Sequence, residues 1–422
     1  MEQLSYGAFS ADLHQRQAGE RVPLQVSIEV TRRCPLECLH CYNNLPMGDV
    51  EARKRELTKE EHFKMLDELV EMGCFWILYT GGEIFARKDF LEIYTYAKKK
   101  GFLITLFTNG TIINEQIADY LVEWPPFAIE ITLYGRTRET YEALTAVPGS
   151  YDKCLRGIRL LKERGLPLKL KTVATSINKH EVMAMRRFAE EELGVEFKTD
   201  GQINPRIDCS QSPLAVRLTP EEVVALDMSA PKAISEYRDL VKRESETLRP
   251  RLATIDTVYF CGGGRKSFSV NADGEMSICV ISQQDRFDIR QLGLKPAWED
   301  SLREVRTRKR TKVTKCVECR IQSLCGMCPA NGEMENGDQE SPVEFLCHVA
   351  HLRAVVIGVE VSPHGDCDFC AGGSEYESLL ESGQRIRSKE IDVESWVGPQ
   401  QILPILNNSS VAASGCGSCG SH

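Results

Sequence analysis

Along the first half of the chain, hydrophobic and polar positions switch between a strand period and a helix period. "LQVSIEVT" (24–31) is a β-branched run of strand length. In the following "LTKEEHFKMLDELVEMG", Phe63, Leu66 and Leu69 recur at helical spacing, Thr58 and Glu61 fit a capping box, and Gly73 supplies the stop. The succession then repeats. "FWILYTGGE" precedes the helical "DFLEIYTYAKKKG", "FLITLFTNG" precedes "NEQIADYLVEW", and "FAIEITLYG" precedes "SYDKCLRGIRLLKERG". "LPLKLKTVAT" leads to "NKHEVMAMRRFAEEELG" and on to "VEFKTDGQI". Such continuously apolar strands belong in a parallel sheet covered by helices. Right-handed crossovers curl six units of this kind into an open barrel. The pattern therefore predicts an α/β fold, a partial (β/α)6 barrel over residues 23–204, after an amino-terminal segment 1–22.

Sites in α/β sheets and barrels lie at the carboxyl ends of the strands. The polar motifs fall there: Cys34, Gly81-Gly82-Glu83, Thr108-Asn109-Gly110, Thr132 and Lys171–Thr175. A mixed segment, 205–258, holds two helical patterns, "TPEEVVALDMSAP" and "AISEYRDLVKRESETL". "SFSVNADGEMSICV" reads as a hairpin turning at Asp273-Gly274. It opens a cysteine-rich unit, 259–357, whose stretch 316–347 has little periodicity, as expected where metal holds the backbone. From about 361 periodicity fades, and the tail 358–422 ends in "NNSSVAASGCGSCGSH", which reads as mobile.

Composition narrows the function. Hydrophobic residues at 42% and charged residues at 27% are those of an ordinary soluble protein. A net charge of -9 argues against nucleic acid as the main partner, and the basic run "REVRTRKRTKVTK" (303–315) reads as a solvated helix face. No secretory pattern opens the chain, and no window approaches the roughly 18 apolar residues of a membrane span. A cytoplasmic location without membrane contact is the expectation. In such a reducing compartment the 17 cysteines point to metal or redox chemistry. Cys74, Cys154 and Cys209 stand alone and read as buried small apolar residues. The others fall into four groups: 34/38/41, 261/279, 316/319/325/328/347, and 367/370 with 416/419.

Soft thiolates select zinc, copper(I) or iron–sulfur clusters. A structural zinc takes four ligands, usually as two CxxC-like pairs. "CPLECLHC" offers three thiols, Cys34, Cys38 and Cys41, on one short loop. Three ligands suit a cubane that keeps one iron open.

With "GGE" after the second strand, "TNG" after the third and "ITLYG" after the fourth, the chain resembles the radical SAM superfamily over about 180 residues. The resemblance implies that Cys34, Cys38 and Cys41 ligate a [4Fe-4S] cluster whose open iron binds S-adenosylmethionine. One electron then yields a 5'-deoxyadenosyl radical. It also implies that His40 packs near the adenine and that Gly81, Gly82 and Glu83 let the backbone approach the methionine amino group. Thr132 would meet the ribose or carboxylate, and Lys171 the carboxylate. For Thr108 and Asn109 a cofactor contact and a plain strand-ending turn stay open, as does a surface-lysine reading of Lys171.

The later cysteines resemble the SPASM extension of peptide-modifying members. Cys261, then Gly274-x4-Cys279, Cys316-x2-Cys319-x5-Cys325, Cys328 and Cys347 follow its order, with one residue fewer between Cys325 and Cys328. By that resemblance Cys316, Cys319, Cys325 and Cys347 hold an outer auxiliary cluster. Cys261, Cys279 and Cys328 hold an inner one that lacks a fourth thiol. A pair of zinc ligand sets at 316–328 is the rival reading. Sulfatase-maturing relatives place an aspartate base where this chain has Val280, which leaves the catalytic base unassigned, with Asp285 and Asp288 on the same loop.

The function implied is oxidative modification of a ribosomal peptide or protein, by thioether or carbon–carbon crosslinking. It calls for an electron donor such as flavodoxin or ferredoxin; since about twenty residues precede the first strand, leader recognition would come from a separate protein or be absent. Oxidation of a small molecule such as a tetrapyrrole side chain is the alternative, and a non-enzymatic electron carrier the second. The pairs Cys367/Cys370 and Cys416/Cys419 are open to three readings: incidental thiols, metal or cluster ligands, or a substrate-like tail.

Overall fold

A computed structural model describes residues 5–230, 232–244, 246 and 256–398. Six parallel strands form as the periodicity predicts: β1 (Gln25–Thr31), β2 (Trp76–Gly81), β3 (Leu103–Thr108), β4 (Ala128–Thr132), β5 (Leu168–Val173) and β6 (Phe197–Asp200). Each is paired in sequence order with the next, with Gln25 opposite Trp76, Trp76 opposite Leu103, and Ile129 opposite Leu168. The sheet does not stop at β1. The hairpin strands β7 (Ser267–Val270) and β8 (Glu275–Ser277), followed by β9 (Phe287–Asp288), extend it to nine strands in the order β9-β8-β7-β1-β2-β3-β4-β5-β6. β7 runs parallel to β1, so the hairpin expected inside the cysteine-rich unit is welded to the barrel. Its turn forms at the predicted place, with Asn271 Oδ1 accepting from the Asp273 and Glu275 amides and Gly274 at φ +83°.

Helices cover the outer face. α2 (Lys59–Glu71) carries the capping box: Thr58 Oγ1 accepts from the Glu61 amide and Glu61 Oε2 accepts from the Thr58 amide. Its buried stripe is His62, Met65, Leu66 and Leu69, while Phe63 lies beside the stripe and stacks on Tyr96 of α3 (Phe90–Lys99) at 4.1 Å. α4 (Glu115–Glu123), α5 (Arg138–Thr145), α6 (Ser150–Glu163) and α7 (Val182–Arg187) complete the layer. Gly157 of α6 allows a very close approach, since a Cβ there would lie 2.2 Å from Gly110 O in the loop after β3.

Segment 1–22 holds a helix, α1 (Tyr6–Arg16), with no apolar period of its own. Its aromatic rings meet Phe127, Phe75 and Trp76 at the amino ends of β4 and β2, and so close the barrel end opposite Cys34.

Beyond β6, α8 (Pro220–Met228) and α9 (Ala233–Arg243) form as predicted. The segment after 357 holds a helix where the weak periodicity from about 361 announced none, while the run read as mobile, 407–422, lies outside the described residues. α11 (Glu344–Ile357), which follows α10 (Pro329–Asn336), packs on α12 (Tyr376–Arg387). α12 buries Leu379, Ser382, Gly383 and Ile386, a helical stripe hidden by its small residues. Cys416 and Cys419 lie outside the described residues. Among the described residues no helix is long and apolar enough to cross a membrane.

Candidate functional site

The first thiol loop leaves β1 over the carboxyl end of the sheet and is held at both sides. Glu37 and Leu39 amides donate to the Thr145 and Leu144 carbonyls at 3.0 Å. Arg33 is paired with Glu56 at 2.8 Å, both nearly buried. Arg206, beyond β6, donates from Nη1 to Cys41 O (3.1 Å) and Asn44 Oδ1 (2.9 Å), and from Nη2 to Asn44 O (2.8 Å). Nothing in the sequence marked Arg206; it acts on a loop more than a hundred residues away.

The three thiols lie within electrostatic reach of one another. Burial pushes Cys34 up to about 12, with the Glu83 carboxylate adding to the shift, and burial likewise raises Cys38 and Cys41. Neutral thiols are therefore favoured until a cation arrives, and a bound metal inverts that preference. Donors are already aimed at the sulfur: Leu36 N and Asn109 Nδ2 each lie 3.4 Å from Cys34 Sγ. The donor set fits an iron–sulfur cluster.

The glycine loop serves this arrangement. A Cβ on Gly81 would lie 2.2 Å from Thr31 O, and one on Gly82 2.4 Å from Arg32 O and 2.6 Å from Arg33 O. Gly81 also sits at φ +127°, a conformation that a side chain strains. Gly82 N and Glu83 N then donate to Thr31 O (2.7 Å) and Arg33 O (3.0 Å). The first task of these glycines is thus to let the second-strand loop lie flat against the residues leading to Cys34.

Glu83 is fully buried, and its carboxylate accepts from Thr108 Oγ1 (2.7 Å), Asn109 N (2.8 Å) and Phe85 N (3.2 Å). Burial raises it to about 7 against those bonds. Thr108 and Asn109 therefore form a strand-ending turn locked to Glu83, and Asn109 additionally faces the Cys34 thiol. His40 is half-buried, lowered by desolvation to about 4, and meets Tyr134 edge-on at 5.0 Å. Its Nδ1 is buried without a partner, an open hydrogen-bonding position near the thiols.

Thr132 lies opposite Lys171 on the inner face of the sheet. Lys171 is no surface lysine: it sits over the Phe107 ring and 3.4 Å from Glu130, and burial lowers it to about 8. Glu130 also takes Lys198 at 3.0 Å.

The later thiols lie close together, and Cys328 is within reach of Cys325 as well as of Cys261 and Cys279. Cys279 is influenced by Cys328 and Cys261, and Cys328 by Cys261. Cys319 is influenced by Cys325 and Cys316. A cavity of about 120 Å³ is lined by Cys316, Cys319, Cys325, Cys328 and Cys347. Arg310, Lys312 and Lys315 also line it, so the basic run is a solvated face only in part. Asp285 and Asp288 do not stand free as bases. Asp285 is held by Arg308 and Gln339, and Asp288 caps a short helix at Arg290 N. The carboxylate near the inner set is Glu333, buried and raised by burial, which accepts from Gln283 N and Gln339 Nε2. It falls on α10, five residues after Cys328, where no sequence motif distinguished it.

Residues 28–189 match the Radical SAM superfamily. The match covers the barrel. Fe-coproporphyrin III synthase of Methanosarcina barkeri is 35% identical over 39% of this chain and 40% of that protein, well short of two thirds of its length. AdoMet-dependent heme synthase of Nitratidesulfovibrio vulgaris is 24% identical over 76% of this chain and 91% of the relative. PqqA peptide cyclase of Bradyrhizobium diazoefficiens is 29% identical over 62% and 68%. Among solved structures, SuiB of Streptococcus suis bound to S-adenosylmethionine superposes with a TM-score of 0.56 at 15% identity, covering 82% of each chain. That likeness extends the shared fold past the barrel into the cysteine-rich half.

Proposed function

We propose that this radical SAM enzyme oxidatively modifies a ribosomal peptide, forming a thioether or carbon–carbon crosslink. The observation that carries the reading is the inner thiol set. Cys261, Cys279 and Cys328 are three, one short of a closed cubane, and Cys261 is exposed. A site of that kind offers an entering substrate thiolate a place to bind. Relatives named for peptide chemistry support it, PqqA peptide cyclase by sequence and SuiB, solved bound to precursor peptide SuiA, by fold.

In this reading Cys34, Cys38 and Cys41 hold the first cluster, which with S-adenosylmethionine supplies a radical that removes a hydrogen atom from the substrate. The chain's own residues position and dry the site. Glu83 locks the two loops on either side of Cys34. Asn109 holds a donor on the Cys34 sulfur, and His40 with Tyr134 gives an aromatic edge with one free ring nitrogen. Lys171 and Thr132 present polar groups on the inner face. Cys316, Cys319, Cys325 and Cys347 hold the outer auxiliary cluster, and Glu333 keeps a proton more readily than a surface glutamate does. An electron donor of flavodoxin or ferredoxin type completes the system.

A second reading, oxidation of a tetrapyrrole side chain, is favoured by the heme synthases, whose alignments span 86–95% of their own lengths. One experiment separates the two. Anaerobically reconstituted enzyme, reduced with dithionite and given S-adenosylmethionine, receives either short cysteine-containing peptides encoded beside its gene or Fe-coproporphyrin III. Peptide modification gives 5'-deoxyadenosine together with a peptide lighter by two hydrogen atoms. A mass change in the porphyrin alone overturns the peptide reading.

A further inference from the structure

The pair Cys367/Cys370 lies outside the two auxiliary thiol sets assigned above, although the Cys367 thiol touches that of Cys347. We propose that His351, His364, Cys367 and Cys370 form a mononuclear zinc site that fastens the carboxyl-terminal segment to α11 beside Cys347.

All four side chains are buried, and their ligand atoms lie within 4.8 Å of one another. His351 Nε2 is 3.5 Å from Cys367 Sγ and 3.6 Å from Cys370 Sγ, and His364 Nδ1 is 3.3 Å from Cys370 Sγ. A tetrahedral zinc with bonds of about 2.3 Å to sulfur and 2.0–2.1 Å to nitrogen separates sulfur from nitrogen by about 3.6 Å. The side chains already stand at that spacing. A two-iron centre with two histidines and two cysteines puts the histidines on one iron and the cysteines on the other, which holds nitrogen away from sulfur. Here the close contacts join nitrogen to sulfur, as around a single ion. An all-thiolate cubane needs two more cysteines in place of the histidines.

The surroundings orient His351 as a metal ligand requires, while His364 Nδ1 lies 3.0 Å from Ser362 O and would exchange that contact, with its proton, for the metal. His351 Nδ1 donates to Cys347 O at 2.8 Å, which leaves the Nε2 lone pair facing the two sulfurs. Phe369, inside the CxxC loop, stacks on His348 at 4.7 Å and leans on His351, shielding one side from water. Two cysteines and one histidine come from the short run "HGDCDFC", at C-x2-C spacing, and the remaining ligand comes from the helix it lies on.

The location gives the site a purpose. His351 is one helical turn after Cys347, whose Sγ lies 3.7 Å from His351 Nδ1. Gly365 packs against Lys315, where a Cβ would lie 3.1 Å from Lys315 Cα, next to Cys316. A metal at 351/364/367/370 thus braces two residues assigned to the outer auxiliary cluster and anchors the chain entering α12.

The test is metal content, which does not depend on turnover. Full-length protein purified anaerobically is assayed for zinc and iron by mass spectrometry, and the zinc edge is examined by X-ray absorption. About one zinc per chain with two sulfur and two nitrogen ligands is expected. Cys370→Ser and His364→Ala should each lower zinc at least fivefold with iron unchanged. The wild-type absorption spectrum stands even if both variants misfold. Wild-type protein without zinc, zinc with four sulfur ligands, zinc retained in both variants, or iron lost from Cys370→Ser in place of zinc overturns the site. The last outcome would assign Cys370 to an iron cluster.

Discussion

Arg206 offers a sharp test of how the first thiol loop is held. Its guanidinium makes three hydrogen bonds to Cys41 O, Asn44 Oδ1 and Asn44 O, at 2.8–3.1 Å. Bonds from a charged donor are each worth about 1.5–3 kcal/mol net. The three here share one guanidinium at a partly exposed site, and the freed acceptors regain some water. Arg206→Ala should therefore cost the loop about 3 kcal/mol, which is about a hundredfold in its opening equilibrium. The loss is local, since the guanidinium's further ion pair, with Asp208 at 3.9 Å, lies two residues along the same segment. Hydrogen exchange of the metal-free protein reads this directly. Amides of 36–44 should exchange about a hundredfold faster, while those of α2 and α6 stay unchanged. Arg138→Ala, which removes an exposed pair with Asp152, is the control and should leave the loop untouched. A change of less than about threefold in the Arg206 variant would refute the claim that this residue secures the loop.

Three further outcomes follow from the geometry. Lys171 has a folded value of about 8 against an ordinary 10.5, so between those pH values the unfolded chain binds more protons and stability rises with pH. Lys171→Met, which leaves Lys198 to pair Glu130, should stabilise the protein by about 2 kcal/mol at pH 7 and by less toward pH 10.5. A urea midpoint that shifts equally at both pH values contradicts the burial cost. Gly157→Ala forces a Cβ against Gly110 O and should lower stability by about 3 kcal/mol, with an unchanged melting profile as the contrary result. Thr58→Ala removes the capping box of α2 and should cost about 1 kcal/mol, measured by the same urea titration; a loss under a few tenths would count against it.

The sequence made some layers of this molecule readable because they are local. Six parallel strands, the Thr58 capping box, the Asp273-Gly274 turn and the Cys34–Cys41 loop are each written within a short window. What stayed hidden depends on contacts between distant segments. β7 joins β1 from more than two hundred residues away, which no alternation of apolar residues announces. Arg206, Glu333 and His351 each act on a motif that another element carries. α12 escaped notice because Ser382 and Gly383 fill the stripe where larger apolar residues would have revealed it, and Gly383 is small so that Val355 can approach. The GGE glycines were legible as a motif, yet their immediate reason, the carbonyls of Thr31, Arg32 and Arg33, required the fold.

The central claim is that Cys34, Cys38 and Cys41 hold the cluster at which S-adenosylmethionine is cleaved, with the later thiols holding further iron. The decisive measurement is iron and acid-labile sulfide per chain, with 5'-deoxyadenosine formation on adding dithionite and S-adenosylmethionine, in wild type and in a Cys34→Ala, Cys38→Ala, Cys41→Ala triple variant. The account expects about twelve irons in the wild type, about eight in the variant, and deoxyadenosine from the wild type alone. Deoxyadenosine from the triple variant, or its absence from fully iron-loaded wild type, would contradict it.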